Sequence, residues 1–270
     1  MPVLFPRRIK VLIAYDGTAY HGWQVQPGVA TVQSAIETAL AGIEGKTIHV
    51  TASGRTDAGV HALAQVAAFD LSNPIPVLNL RRALNRVLPP DIRILQAAEA
   101  TPDFHPRHHA LAKTYEYRIW RTEVRPPFER MYTHHHPYPL DVPAMAAAAQ
   151  VLEGTHDFSA FAAADPADAL GRSKVRTIFS TILHEQGPRL LFRVRGSGFL
   201  KHMVRNLMGT LLEVGKKNLT MTDMEMFLRP GFPHKAGPRA PASGLFLVNV
   251  EYETGFPEEA AEPGRTPGGA

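Results

Sequence analysis

The sequence contains no cysteine, which excludes a disulfide framework, a cysteine-ligated zinc site and thiol catalysis. It also has no uninterrupted apolar run of about 18 residues, so we expect no transmembrane helix. The first eight residues, Met-Pro-Val-Leu-Phe-Pro-Arg-Arg, lack the basic region, apolar core and small-residue cleavage site that together mark a signal peptide. These absences predict a cytoplasmic protein.

Charge is only slightly unbalanced, because the 270 residues carry a formal net charge of +4. Such an excess favours a polyanionic partner weakly, and scattered, solvated charge is the alternative interpretation. The basic residues nevertheless fall in groups, which would form a phosphate-binding surface if folding brought several of them together. The groups are Arg7, Arg8 and Lys10; Arg81, Arg82 and Arg86; Arg172, Lys174 and Arg176; and Lys201, Arg205, Lys216 and Lys217.

The most informative segment is 52–62, Ala-Ser-Gly-Arg-Thr-Asp-Ala-Gly-Val-His-Ala, which lies between two apolar, strand-like runs. It places a cation, a carboxylate and an imidazole between two glycines, and glycine lets a ligand approach the main chain closely. A polar segment between buried strands usually presents side chains from a rigid frame, although a plain turn would share some of these features. The segment therefore predicts a functional site at Arg55, Asp57 and His61.

Residues 54–61, Gly-Arg-Thr-Asp-Ala-Gly-Val-His, resemble the catalytic signature of the TruA family of tRNA pseudouridine synthases. Four further segments resemble family motifs in the family's order, so the resemblance covers about residues 8 to 252. They are 15–24 (Tyr-Asp-Gly-Thr-Ala-Tyr-His-Gly-Trp-Gln), 103–107 (Asp-Phe-His-Pro-Arg), 199–206 (Phe-Leu-Lys-His-Met-Val-Arg-Asn) and 244–247 (Gly-Leu-Phe-Leu).

The resemblance implies a catalytic role for Asp57, as the nucleophile, together with Arg205 and Tyr115. Arg205 would keep the carboxylate ionised, since a guanidinium pairs with a carboxylate better than an ammonium does. An exposed helix arginine is the alternative for Arg205. Tyr115 and Tyr117 point to the same face of a strand, and only the family motif selects Tyr115; a core tyrosine is the alternative.

The resemblance also assigns substrate contacts to Arg55, Tyr115, His202 and Leu245. Arg55 is the candidate to replace a base extruded from the RNA stack, or to neutralise a phosphate. Leu245 and Leu247 resemble apolar walls of the pocket, and core leucines would look the same. His61 and His202 are expected to be structural hydrogen-bonding groups rather than proton carriers.

Pseudouridine formation consumes nothing, so no cofactor and no metal are expected. The signature has no second carboxylate beside Asp57, whereas water-attacking glycosidases typically pair two. The run of histidines at 134–136 could bind zinc, but no third convergent ligand is identifiable. The resemblance implies action on the tRNA anticodon arm, at positions 38, 39 and 40, by a homodimer.

Two alternative functions stay open at this point. The first is a non-catalytic RNA-binding protein on RRM-like modules, which would use Tyr115 and Tyr117 for base stacking. The second is a related pseudouridine synthase with another target uridine.

Apolar periodicity predicts two strand-helix-strand halves and hence an α+β fold with mostly antiparallel sheets. The resemblance makes these two ferredoxin-like or RRM-like halves, 1–105 and 106–253, whose sheets join with helices on one side around a central basic cleft. We expect strands near 9–15, 47–52, 62–70, 92–100, 114–120, 175–185, 189–196 and 245–250, and helices near 32–44, 80–88, 141–152, 200–214 and 221–228. We expect a disordered tail at 254–270; the loop at 162–172 is either disordered or ordered by RNA.

Overall fold

A computed structural model describes residues 6–165 and 171–257. Within them the chain forms one ten-stranded sheet and five α-helices, which confirms a mixed α+β fold. The strands are β1 Arg7–Tyr15, β2 Thr51–Ala52, β3 His61–Leu71, β4 Ile92–Glu99, β5 Ala112–Trp120, β6 His134–His135, β7 Gly154–Asp157, β8 Val175–Gln186, β9 Arg189–Gly196 and β10 Leu245–Glu251. The helices are α1 Val32–Glu44, α2 Val77–Val87, α3 Val142–Gln150, α4 Met203–Gly215 and α5 Met221–Phe227.

The main path of the sheet runs β4-β1-β3-β10-β5-β9-β8-β7, with β2 paired to β3 and β6 paired to β5. All recorded pairs are antiparallel except β3 with β10 and β5 with β6. The prediction of a mostly antiparallel sheet is therefore confirmed.

The pairing of β3 with β10 positions the site. Phe246 aligns with His61 and Leu247 with Ala62, so the last strand of the chain lies beside the end of the signature. On its other edge β10 pairs with β5, where Leu247 faces Tyr115 and Leu245 faces Tyr117. Segments far apart in sequence thus meet across three adjacent strands.

Helix α1 shows how local chemistry sets the element boundaries. The Thr31 hydroxyl oxygen accepts a hydrogen bond from the Ser34 N–H, and the Ser34 hydroxyl oxygen accepts one from the Thr31 N–H, which together form a capping box. Gly45 ends the helix in the left-handed conformation, at φ 78°, which glycine adopts without steric cost. Both ends match the boundaries predicted from sequence.

Several predicted boundaries were wrong; helix α2, for example, begins at Val77 rather than 80. The strand expected at 47–52 is only Thr51–Ala52, and the helix expected to reach 152 ends at Gln150. Helix α4 begins at Met203 rather than 200, because His202 takes the left-handed conformation (φ 61°). The short strands β6 and β7 were not predicted, since segments of two and four residues show too little alternation.

No helix in the described parts of the chain is long and apolar enough to cross a membrane. At the start of the expected tail, the Lys10 ammonium donates to the carbonyls of Thr254 and Gly255, and the Phe256 ring lies 4.9 Å from it. Residues 258–270 of that tail, and 166–170 of the 162–172 loop, lie outside the described residues.

Candidate active site

The signature loop between β2 and β3 packs against the segment 15–24 and is hydrogen-bonded to it. Trp23 N–H donates to the Thr56 carbonyl (3.1 Å), and Gly59 N–H donates to the Tyr20 carbonyl (3.2 Å). A Cβ on Gly17 would lie only 2.0 Å from the Val60 carbonyl oxygen, so no side chain fits there. The N-terminal motif thus fixes the backbone of the loop that carries Asp57.

Asp57 meets Arg205 across a separation of 148 residues. The Arg205 Nη1 donates to Asp57 Oδ2 at 3.1 Å, which brings together the two groups that the sequence analysis paired. The Arg205 side chain is 12% exposed and that of Asp57 25% exposed, so the ion pair is shielded but the carboxylate remains reachable. A charge-assisted hydrogen bond of this kind is stronger than a neutral one, and partial burial reduces screening of the pair by solvent.

Arg205 is fixed by a strap formed by residues 238–240, which crosses α4. The Arg205 Nε donates to the Ala240 carbonyl at 2.8 Å, and the Ala240 N–H donates to the Arg205 carbonyl at 3.1 Å. The strap approaches α4 so closely that a Cβ on Gly209 would lie 1.5 Å from the Pro238 carbonyl oxygen. The guanidinium therefore has one nitrogen committed to the strap and another to Asp57.

His202 is the third charged or polar group at the carboxylate. Its Nε2 lies 3.6 Å from Asp57 Oδ1, beyond hydrogen-bond distance, and the Arg239 guanidinium approaches the ring to 2.7 Å at Nδ1. Burial lowers the pKa of His202, as do the neighbouring cations, while the Asp57 charge opposes this shift. A neutral imidazole can donate one hydrogen bond and accept another, and the hydrogen-bonding role of His202 stays a prediction.

Tyr115 and Tyr117 share a face of β5 but have different surroundings. The Tyr117 ring is fully buried and its hydroxyl donates to the Pro241 carbonyl at 2.8 Å. The Tyr115 hydroxyl has no hydrogen-bond partner among the described residues, and its ring meets Phe199 edge-on at 5.1 Å. Burial raises the pKa of Tyr115, and the nearby Tyr15 and Asp57 raise it further, so the hydroxyl keeps its proton at neutral pH.

The remaining candidate residues occupy distinct places around this centre. Arg55 is exposed, while Leu245 is 5% exposed and belongs to the core. His61 is buried: its Nδ1 accepts from the Gly17 N–H (3.1 Å), its Nε2 lies 3.0 Å from the Met131 carbonyl, and its ring stacks on Phe246. These contacts fit the structural role expected of His61.

Sequence reasoning missed Arg239 and the strap, and it missed Lys113, whose ammonium donates to the Ser53 carbonyl beside the signature. Gly209 was the available signal for the strap and Gly54 for Lys113, since an unexplained glycine often marks a close approach. In the histidine run, burial lowers the pKa of His134 to about 4. No cluster of three or more potential metal ligands was found in the described segments.

A protein-family match covers both residues of the ion pair. The family described as tRNA pseudouridine synthase matches residues 11–108 and 148–253, which contain both Asp57 and Arg205. The segment between the two matched ranges includes Tyr115, so the match itself does not extend to that residue.

Curated relatives match over most of their length. A tRNA pseudouridine synthase A of Solibacter usitatus is 61% identical over 246 residues, covering 91% of this chain and 100% of the relative. The enzymes of the same name from Geobacillus kaustophilus and Myxococcus xanthus are each 44% identical, covering 92% and 97% of this chain and 95% and 96% of the relatives. These relatives agree with the sequence motifs and with the geometry of the Arg205–Asp57 pair. The chain therefore belongs to the tRNA pseudouridine synthase A family of isomerases.

Proposed function

We propose that the protein isomerises uridine to pseudouridine in tRNA with Asp57 as its nucleophile. The observation that carries this proposal is the Arg205–Asp57 ion pair at 3.1 Å, with a carboxylate that is one quarter exposed. Family membership supports the activity and argues against a passive RNA-binding protein.

In the proposed reaction the Asp57 carboxylate attacks C1′ of the target nucleoside as the N1–C1′ bond breaks. The freed uracil turns within the site, C5 bonds to C1′, and the carboxylate leaves. The proton on C5 is lost and N1 gains one, so atoms balance without a cofactor. The reaction requires an ionised carboxylate, which here contacts the Arg205 guanidinium, and a site that excludes water during the turn.

Tyr115 is proposed to stack on the uracil and to assist the final proton transfer. Its unpartnered hydroxyl supports this role, because a phenol that keeps its proton can relay one, accepting at its oxygen while it donates its own. Tyr117 is unsuited to it, since its hydroxyl is already committed to the Pro241 carbonyl. The register that sets Leu247 against Tyr115 provides an apolar wall on one side.

Arg55, His202 and Leu245 are proposed to contact the substrate. Arg55 is exposed at the edge of the signature loop, where a long cationic side chain could fill the gap left by an extruded base. His202 lies beside the free oxygen of Asp57 at 3.6 Å and could hydrogen-bond the nucleotide. Leu245 begins β10, opposite Tyr117, and would narrow the pocket with its neighbours.

The substrate is proposed to be the anticodon arm, with uridines 38, 39 and 40 as targets, bound by a cytoplasmic homodimer. These details derive from the resemblance to the family. The fold is proposed to comprise two ferredoxin-like halves, 1–105 and 106–253, around a basic cleft. Strand β3 from the first half pairs with β10 from the second, and this pairing supports the arrangement.

The test is incubation of purified protein with an unmodified tRNA transcript, followed by nucleoside analysis and mapping of each modified position. We expect pseudouridine in the anticodon arm, with and without a chelator. A transcript whose anticodon-arm uridines are replaced by cytidine serves as the control. Product in another arm would reject the target assignment, and no product at all would reject the activity.

A further inference from the structure

Two consecutive residues of the segment between β5 and β6, Met131 and Tyr132, contact the end of the signature loop. The Met131 carbonyl lies 3.0 Å from His61 Nε2, across 70 positions of sequence. The Tyr132 hydroxyl donates to Asp16 Oδ2 at 2.6 Å, across 116 positions, and its ring lies 5.3 Å from the His61 ring. A segment that follows β5 is thus attached to the signature and to the N-terminal motif at once.

The His61 ring is oriented by its neighbours on both sides. The Gly17 N–H donates to Nδ1 at 3.1 Å, so in the neutral ring the proton is on Nε2, which donates to the Met131 carbonyl. A protonated ring carries a proton on Nε2 as well, so the contact with Met131 forms in both states. The ring also stacks on Phe246 at 4.6 Å, which fixes its plane.

Asp16 presents one carboxylate oxygen to each side. Its Oδ1 accepts from the Thr18 N–H at 3.0 Å and from the Thr18 hydroxyl at 2.6 Å, and it lies 3.1 Å from His61 Nδ1. Its Oδ2 accepts from Tyr132. Burial raises the pKa of Asp16, but the hydrogen bonds from Thr18 and Tyr132 outweigh burial and hold that pKa below its ordinary value. Tyr132 therefore donates to an ionised carboxylate.

These contacts are coupled to Asp57 through the backbone of the loop. A Cβ on Gly17 would lie 2.0 Å from the Val60 carbonyl oxygen, so the two backbones are in direct contact. The Val60 N–H in turn donates to the Asp57 carbonyl at 3.1 Å. Because Asp16 precedes Gly17 and His61 follows Val60, a shift of either residue displaces the turn that carries Asp57.

Other residues that follow the loop in sequence fix its start and its centre. Lys113 on β5 donates to the Ser53 carbonyl at the start, and Arg205 on α4 donates to Asp57 at the centre. The contact of Tyr132 with the N-terminal motif completes the set at the end of the loop. The position of Asp57 therefore depends on three attachments to the later part of the chain.

The segment that carries Tyr132 is itself held to the sheet. The Arg189 guanidinium on β9 forms an ion pair with the Glu129 carboxylate. The Thr133 hydroxyl donates to the Glu129 carbonyl at 2.9 Å, and Arg125 Nη1 donates to the Thr133 carbonyl at 2.9 Å. Tyr132 thus connects the signature loop to a fixed part of the sheet.

We propose that Tyr132 is a positioning residue for the isomerisation, and that its hydrogen bond to Asp16 sets the placement of Asp57 beside Arg205. Tyr132 is 37% exposed, so removing its hydroxyl deletes one hydrogen bond at the edge of the loop and leaves the core intact. A displacement of about 1 Å at a reacting group can cost about 100-fold in rate, so a partial loss of support slows the reaction. This inference rests on the proposed role of Asp57.

The first experiment measures single-turnover product formation by Tyr132→Phe over a range of enzyme concentrations. We expect the rate constant at saturation to fall about 10-fold. The enzyme concentration at half saturation should stay within twofold of that of wild type, because the hydroxyl is committed to Asp16 and not to RNA. A rate constant within twofold of wild type would overturn the proposal.

Tyr138→Phe is the matched control. Tyr138 is 68% exposed and its hydroxyl has no hydrogen-bond partner within residues 6–165 and 171–257. Loss of this hydroxyl should leave the rate constant and the half-saturation concentration unchanged. A 10-fold slower rate in Tyr138→Phe as well would show that the effect does not come from the bond to Asp16, and would also overturn the proposal.

Two further measurements separate positioning from folding and from RNA contact. The melting temperature of Tyr132→Phe should fall by only about 2 to 4 °C, as expected for the loss of one hydrogen bond. Unfolding at the assay temperature, or a 10-fold rise in half-saturation concentration, would contradict a positioning role. In an Asp16→Ala background, Tyr132→Phe should change the rate constant less than twofold, because the acceptor is already missing. An undiminished effect there would assign the hydroxyl to another partner.

These outcomes are distinct from failure of the proposed function. Wild-type protein that makes no pseudouridine would reject the proposed activity. Active wild-type protein together with an equally active Tyr132→Phe variant would reject the positioning role alone, and Asp57 would stay the proposed nucleophile.

Discussion

Replacing Arg205 with lysine keeps the positive charge but removes the forked geometry. The guanidinium uses Nη1 for Asp57 Oδ2 and Nε for the Ala240 carbonyl, at 3.1 and 2.8 Å. A single ammonium can serve only one of these partners. A hydrogen bond involving a charged group contributes about 1.5 to 3 kcal/mol. If losing this hydrogen bond destabilises the transition state by that amount, the rate falls about 10- to 150-fold, because each factor of ten in rate corresponds to about 1.36 kcal/mol.

The assay is single-turnover release of tritium from tRNA labelled at C5 of uridine, with enzyme in excess. We expect Arg205→Lys to be nearly as slow as Arg205→Ala, while both bind tRNA normally. Arg229→Lys, a conservative change at an exposed position, is the matched control and should retain the wild-type rate. An Arg205→Lys rate within threefold of wild type would refute the argument from two simultaneous contacts.

Three further perturbations follow from the same contacts. Gly209→Ala would place a Cβ 1.5 Å from the Pro238 carbonyl oxygen, so we expect the free energy of unfolding in urea to fall by about 3 kcal/mol and product formation to decrease. Gly42→Ala is the control: a Cβ there has nothing within 4 Å and should stabilise α1 by up to about 1 kcal/mol. Tyr117→Phe should cost about 1 kcal/mol of stability and Tyr115→Phe should instead slow turnover; the reverse pattern would exchange their roles. Because the Lys113 ammonium donates to the Ser53 carbonyl and burial lowers its pKa to about 8, product formation should fall as the pH rises from 7 to 9, and Lys113→Arg should reduce this dependence.

Local patterns predicted those parts of the fold that local chemistry determines. The capping box at Thr31 and the left-handed Gly45 delimit α1 in sequence and in structure alike. Apolar periodicity carried no signal for the left-handed conformation of His202, at which α4 begins. Strands of two residues, such as Thr51–Ala52, form because β3 offers a partner and not because their sequence alternates.

The candidate site could be predicted where motifs name residues but not where distant segments meet. Asp57 and Arg205 were paired in advance, and the structure brings them together. Strand periodicity could not separate Tyr115 from Tyr117, and only the family motif selected Tyr115. The structure adds that the Tyr117 hydroxyl donates to the Pro241 carbonyl, 124 positions away. Close approaches at Gly17 and Gly209 depend on which segments pack together, and this information is not periodic along the chain.

The decisive measurement is single-turnover product formation by Asp57→Asn under conditions where it binds tRNA as tightly as wild type. The amide preserves the shape of the side chain but is a far weaker nucleophile and carries no negative charge. We expect no pseudouridine above background, with normal folding and binding. Product at a rate close to that of wild type would show that another group performs the chemistry beside Arg205.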